Sequence, residues 1–184
     1  FRQSHAIFKA LGDQATTAAL HNYLGSLDLL QGRWPEADGH FDQALALNQA
    51  LANWWGLAIT CSNIAALHAA QGDDPAALPP LLQSMAHFRQ AGAKHGLETC
   101  FELLARISQR HGELERAAWC WGVAERLEAD MGKQLRPDQL AEREGHLRDL
   151  AAQMAQADFD ALHAAGRGDT LEQAFHAVLP PAAP

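Results

Sequence analysis

HNYLGSLDLLQG (residues 21–32), CSNIAALHAAQG (61–72) and FELLARISQRHG (101–112) decide how this chain reads, because each closes on a glycine and the glycines stand 40 residues apart. In that register Leu24, Ile64 and Leu104 coincide, followed by Gly25, Ala65 and Ala105. Beyond the glycines Ala37, Ala77 and Ala117 align, then Phe41, Leu81 and Trp121, then Ala44, Ser84 and Ala124. A fixed period of this size marks stacked helical hairpins, none of which can bury its apolar face alone. The large residue fills a groove on the first helix of each pair, helix A, and the small residue beside it lets helix B approach closely. The position held by Phe41, Leu81 and Trp121 wedges between neighbouring hairpins. Gly32, Gly72 and Gly112 fall where a helix ends in a left-handed residue, which glycine adopts without steric cost.

This spacing resembles the tetratricopeptide repeat, stretched from about 34 residues to 40. The implied fold is all-α, a tetratricopeptide-like α-α solenoid of about three 40-residue helix-turn-helix repeats with a C-terminal helical cap. The register divides the chain into repeats over 13–51, 52–91 and 92–132, and capping helices with a tail over 133–184. FRQSHAIFKALG (1–12) overlays LLQSMAHFRQAG (81–92), with Ser4 on Ser84, Phe8 on Phe88 and Gly12 on Gly92. Residues 1–12 therefore read as the second helix of a truncated repeat, and the chain as a piece of a longer protein.

Start signals sharpen the boundaries. Asp74-Pro75 reads as an N-cap with a first-turn proline, and Trp34-Pro35-Glu36 places its proline similarly. Pro79-Pro80 falls inside a predicted helix B, which should start late or bend there. After Met131-Gly132 the repeat stops. Leu135-Arg136-Pro137-Asp138 opens a helix expected to reach about Gln156, with Leu140, Leu147, Leu150 and Met154 on its apolar stripe. A shorter helix over Phe159–Ala165 should end at Gly166, and Asp169-Thr170 should cap a last one over Leu171–Leu179.

At 184 residues with 48% hydrophobic content the chain supports one array with a real core. Its net charge of -8 provides no basic stripe for phosphate contacts, so direct nucleic-acid binding is not expected. There is no apolar run long enough to span a bilayer. Of three cysteines in no pairing pattern, Cys61 and Cys100 read as small core residues, and the compartment as reducing and cytoplasmic.

The ten histidines form no H-x3-H or H-E-x-x-H pair and read as scattered surface residues. Gly132-Lys133 lacks the glycine five residues earlier that a Walker A loop needs, and no G-x-S-x-G occurs. His40, Pro80 and Cys120 share one repeat position, which argues against Cys120 in a catalytic pair. No catalytic residue, metal ligand or cofactor site is expected. Binding is the natural role of a solenoid, whose concave face is lined by the A helices. Counting from Leu24 and its equivalents places Asn22, Ser26 and Leu29 on that face, then Ser62, Ala66 and Ala69, then Glu102, Arg106 and Gln109. Tyr23 and Asn63 lie at its edge. Asparagine amides there can donate to and accept from a peptide backbone. Glu102 and Arg106, four residues apart, also suit an ion pair on the helix surface.

LHNYLGSLDLLQGRWPEA, SNIAALHAAQGD and the ending ERAAWCWGVAERLEADMG, PDQLAEREGHLRDL and DFDALHAAGRGDTLEQAFHAVL together resemble the C-terminal tetratricopeptide regions of bacterial LuxR- and MalT-related, ATPase-containing signalling and transcriptional regulators. The resemblance implies a sensor and interaction arm. Its partner would be a protein or peptide, a small inducer, or another domain of the same parent, with catalysis and DNA contact elsewhere. The cationic clamp by which some chaperone adaptors hold a terminal carboxylate is missing, since no lysine lies on the predicted A-helix concave face. An alternative is a structural scaffold that self-associates into a homo-oligomer through Trp54-Trp55 or Trp119.

Overall fold

Aspartate and asparagine side chains open three helices of the first half, each accepting a backbone N–H one turn into the helix: Asp13 from Thr16, Asn53 from Gly56 and Asp73 from Ala76. Such caps satisfy donors that a helix start leaves orphaned. The computed structural model describes residues 13–179, and among them lie nine helices and no strand. They are α1 (Gln14–Leu30), α2 (Trp34–Ala50), α3 (Trp54–Ala70), α4 (Asp74–Gln90), α5 (Leu97–Arg110), α6 (Leu114–Met131), α7 (Pro137–Ala151), α8 (Gln156–Gly168) and α9 (Leu171–Val178). The fold is all-α and built from tetratricopeptide-like helical hairpins. The helix predicted over 1–12 lies outside the described residues. Two compact units divide at Ala93 and Lys94, with α1–α4 in the first and α5–α9 in the second.

In the first unit the repeated positions do the packing assigned to them. Ala37, Ala77, Phe41 and Leu81 are fully buried. A Cβ on Gly25 would sit 2.5 Å from the Phe41 ring, so the small residue of α1 is what lets α2 close down. Phe41 and Ala37 join Leu67 of α3 in one core cluster, with Leu29 and Ile64 packed against it. Gly32 and Gly72 have φ values of 69° and 78°, the left-handed region that favours glycine.

Helix α4 differs from expectation. Asp73, not Asp74, is its N-cap, and it runs from Asp74 to Gln90 with Pro79 and Pro80 inside, so it does not start late. Two prolines remove two intrahelical donors. Burial outweighs that loss: Ala77, Leu81, Ser84, Met85 and Phe88 are all fully buried, and the Ser84 hydroxyl donates to the Ala58 carbonyl of α3 at 2.7 Å.

The second unit pairs α5 with α6 and adds three helices. α7 starts at Pro137 as expected but ends at Ala151, so Met154 lies in a connection instead of on a helical stripe. Leu150 is fully buried, whereas Leu140 is 46% exposed. Gly166 does not end α8, which continues to Gly168. It is a packing residue: a Cβ there would collide with the Trp119 carbonyl of α6, and one on Gly122 would collide with the His163 carbonyl of α8. Two glycines thus let two helix backbones touch, and Trp119 Nε1 donates to Asp169 Oδ2 at 2.8 Å beside them. That bond, and an edge-on contact with Phe101 at 6.0 Å, commit the half-buried Trp119 to contacts within the unit.

Candidate functional site

In the first unit the A-helix face joins α1 to α3. Asn22 Nδ2 donates to the Thr60 hydroxyl at 3.0 Å, and Asn63 Nδ2 lies 3.4 Å from Asn22 Oδ1. The Thr60 hydroxyl also accepts from Asn48 at 3.3 Å and donates to the Gly56 carbonyl at 2.8 Å. Asn53 Nδ2 continues the chain to Asn48 Oδ1 at 2.9 Å. Gly56 is the missing side chain that makes room for this network, since a Cβ there would strike the amides of Asn48 and Asn53.

Asn22 is therefore buried and turned inward, joining helices. Asn63 is half-buried and keeps its Oδ1 without a protein donor among the described residues. Ser26, Leu29, Ser62, Ala66 and Ala69 are likewise half-buried, while Tyr23 is 57% exposed at the edge. These positions make a shallow, neutral, mixed-polarity face on two adjacent helices. The sequence places Asn22 on it. It missed Thr60, whose equivalents are Leu20 and Cys100, and with it the bonds of Asn48 and Asn53.

In the second unit the corresponding face of α5 meets α7. Arg143 of α7 bonds Glu102 of α5 and Glu128 of α6, the latter through Nη2 to Oε1 at 2.9 Å, and its guanidinium lies 5.8 Å from the Trp121 ring centre. Lys133 joins the cluster at 3.2 Å from Glu98 and 3.1 Å from Glu128. Burial pushes the Glu102 carboxyl above its ordinary range, against the pull of Arg143. Burial also opposes the charge of Glu128, but hydrogen bonds from Arg143 and Lys133 win and hold it below that range. Lys133 is raised: burial works against its charge, and bonds to Glu128 and Glu98 more than offset it. Three carboxylates against two cations make a network, buried at Glu98, Glu128 and Arg143, that ties α7 to α5 and α6.

Arg106 pairs across to Glu142 at 3.9 Å, so Glu102 and Arg106 each engage α7 instead of one another. Arg106, Gln109 and Arg110 of α5 line a pocket of about 470 Å³ with His146 of α7 and Gln153 just past its end.

Other reactive-looking groups are engaged in packing or in local polar contacts. His21 is buried, not on the surface, and its Nδ1 faces His40 Nδ1 at 3.0 Å; His40 Nε2 stands 3.6 Å from Asp28, which also accepts from Arg33. At that spacing only one facing nitrogen can carry a proton. Burial pushes the Cys61 thiol up to about 11 and Cys120 up to about 12, far from thiolate character at neutral pH. Among the described residues no group of three or more His, Cys, Asp and Glu could hold a metal ion, and no helix is long and apolar enough to cross a membrane.

Residues 16–90 match the family model described as tetratricopeptide repeat. No curated protein and no solved structure matches the chain. The matched stretch takes in nearly all of α1 and the whole of α2–α4, so the first unit carries a tetratricopeptide region. Repeats of this kind are interaction modules that generally mediate protein–protein contact.

Proposed function

We propose that this chain is a non-enzymatic protein- or peptide-binding module, the cytoplasmic sensor and interaction region of a larger bacterial transcriptional or signalling regulator. The observation that carries the binding reading is the α1–α3 face. Gly25, Gly56 and Asn22 are consumed by packing, yet Tyr23, Ser26, Ser62 and Asn63 remain at a half-buried or exposed surface, with one amide oxygen open to a donor. A peptide backbone is the complement to such a surface, since its N–H groups would reach that oxygen. The regulator half rests on the resemblance of the chain's ending. A phosphate-binding G-x-x-x-x-G-K-[ST] segment encoded upstream of Phe1 is its expected companion.

Peptide display against the purified chain, followed by amide-shift mapping of the selected peptide, tests the binding reading. Shifts centred on Tyr23, Ser26, Ser62 and Asn63 are expected. Selected peptides that leave those four unmoved would sink the assignment of this face. A second reading, a self-associating scaffold, is favoured by Trp54 and Trp55 at the start of α3, which are 39% and 49% exposed. Light scattering decides it, because a strict monomer at high concentration removes that reading.

A further inference from the structure

The turn from α2 to α3 departs from the turns equivalent to it. Positions 52, 92 and 132 coincide in the 40-residue register; Gly92 and Gly132 turn with φ of 63°, but position 52 is an alanine with φ of 48°. Ala52 is the one non-glycine residue with positive φ among the described residues. The left-handed region crowds a Cβ against the following carbonyl, so this alanine is strained where glycine would not be. Strain of that kind clusters at sites that hold a ligand or switch.

Ala52 stands among the large apolar side chains of the turn. Leu51 is 40% exposed, Trp54 39% and Trp55 49%. The equivalents of the two tryptophans are Gln14 and Ala15 on one side and Lys94 and His95 on the other, so neither indole belongs to the repeating core. Trp54 is braced, its ring centre 5.6 Å from that of His87 of α4 and tilted by 30°. Burial pushes His87 below its ordinary value, which keeps that ring neutral at pH 7. Neither indole N–H meets a protein acceptor among the described residues.

Two exposed indoles, each a donor only, fit a segment that offers apolar rings, free carbonyls and no charge. Polyproline II offers all three, since it has no internal hydrogen bonds. The chain carries such a sequence: Leu179-Pro180-Pro181-Ala182-Ala183-Pro184 has no charged side chain. Leu179 leaves α9 extended, with φ of -98° and ψ of 142°, the region a following proline favours. In polyproline II form Pro181 and Pro184 would share one edge, about 9 Å apart. Trp54 and Trp55, consecutive on α3 and so about 100° apart around its axis, present two separate ring faces to them.

We propose that the Trp54–Trp55 patch is a docking site for an uncharged, proline-rich segment, and that its occupant is residues 180–184 of a second copy of this chain. The indoles pack on Pro181 and Pro184 and donate to the segment's carbonyls. Patch and tail are different surfaces, so the contact is head-to-tail. This rests on the self-association reading and names the two surfaces that meet.

Sedimentation equilibrium of the whole chain is the test. W55S and P181A/P184A should each weaken self-association by about tenfold or more. W34S, which removes an indole of similar exposure at the start of α2, should change it by less than about threefold. Mixing W55S with P181A/P184A should give one-to-one pairs that neither forms alone, because one copy supplies the tail and the other the patch. A capped peptide of residues 179–184 should inhibit wild-type association and shift the amides of Trp54 and Trp55; its all-alanine analogue should do neither. The P181A/P184A result stands whether or not W55S folds, since those prolines lie beyond α9. Self-association that P181A/P184A leaves intact would sink the tail and spare the scaffold reading. A wild type that stays monomeric up to about 1 mM would sink both. Peptide shifts centred on the α1–α3 face instead of Trp54 and Trp55 would also overturn the proposal.

Discussion

Asn22 and Glu102 occupy the same position of the repeat, and the two units use it in opposite ways. In the first unit a neutral amide docks α1 on α3 through Thr60 and Asn63; in the second a carboxylate docks α5 on α7 through Arg143. An amide loses little on burial once its bonds are made, and its strength is nearly independent of pH and salt. A buried ion pair must first strip water from both charges, so it holds helices firmly only while every member is present. The difference predicts that the first unit tolerates changes of solution and the second does not.

Removing Arg143 is the harshest way to break this comparison. Arg143→Met should cost about 3 kcal/mol, because the buried Glu128 and the half-buried Glu102 lose that cation. Segment-resolved hydrogen exchange should show the loss in α5–α7. Equal loss throughout α1–α4 would mean that both units open together. Next in size is Gly166→Ala, at about 2–3 kcal/mol by thermal melting, since the new methyl meets the backbone of α6, which cannot move aside without parting the helices. Gly25→Ala should cost less, because its methyl meets the Phe41 ring, a side chain that can tilt. A reversed order would show that the α6–α8 crossing is looser than its geometry.

Thr60→Val probes the neutral network at about 1–2 kcal/mol, leaving the Asn22 and Asn48 amides without their acceptor. Its cost should not change between low and high salt, unlike that of Arg143→Met; a salt-dependent Thr60→Val would erase the distinction between the units. The smallest effect is acid titration. Glu128 and Glu125 are held below the ordinary 4.5 by their cationic neighbours, against burial, so their contribution is present above 4.5 and is lost as pH falls through their folded values. Glu102 is raised and has the opposite sign: it favours folding when protonated and loses that contribution as pH rises past its folded value. Lys133, raised, contributes below 10.5 and is lost above. Exchange in α6 and α7 should therefore speed up below pH 4.5 by less than Glu128 and Glu125 alone would give. In the first unit Asp13, lowered by its bonds to Thr16, should fray only the start of α1. Acid loss spread evenly over α1–α4 would count against that assignment.

Much of the hairpin architecture was legible because its causes are local or recur. The left-handed glycines at 32, 72 and 112, the alanines at 37, 77 and 117, and the wedge at 41, 81 and 121 each carry the same physical reason three times over. The cap was legible only at its starts. Pro137 and Thr170 announce helices, but nothing between residues 151 and 156 announces a break, and Gly166 looks like a stop while serving as a contact. The candidate face was half legible. Its positions followed from the register, but the inward turn of Asn22 depends on Thr60, 38 residues away and outside the repeated pattern.

The sequence by itself determined the all-α hairpin class, the helix ends at the repeating glycines and the side of each A helix to inspect, since periodicity, capping and steric size act within a turn or between equivalent positions. Only the tertiary structure decided that Asn22 is glue, that Gly122 and Gly166 bring two backbones together, and that Arg106 and Arg110 share a pocket with α7. Those outcomes depend on single non-repeating pairs such as Glu102 and Arg143, 41 residues apart, whose meeting no local rule encodes.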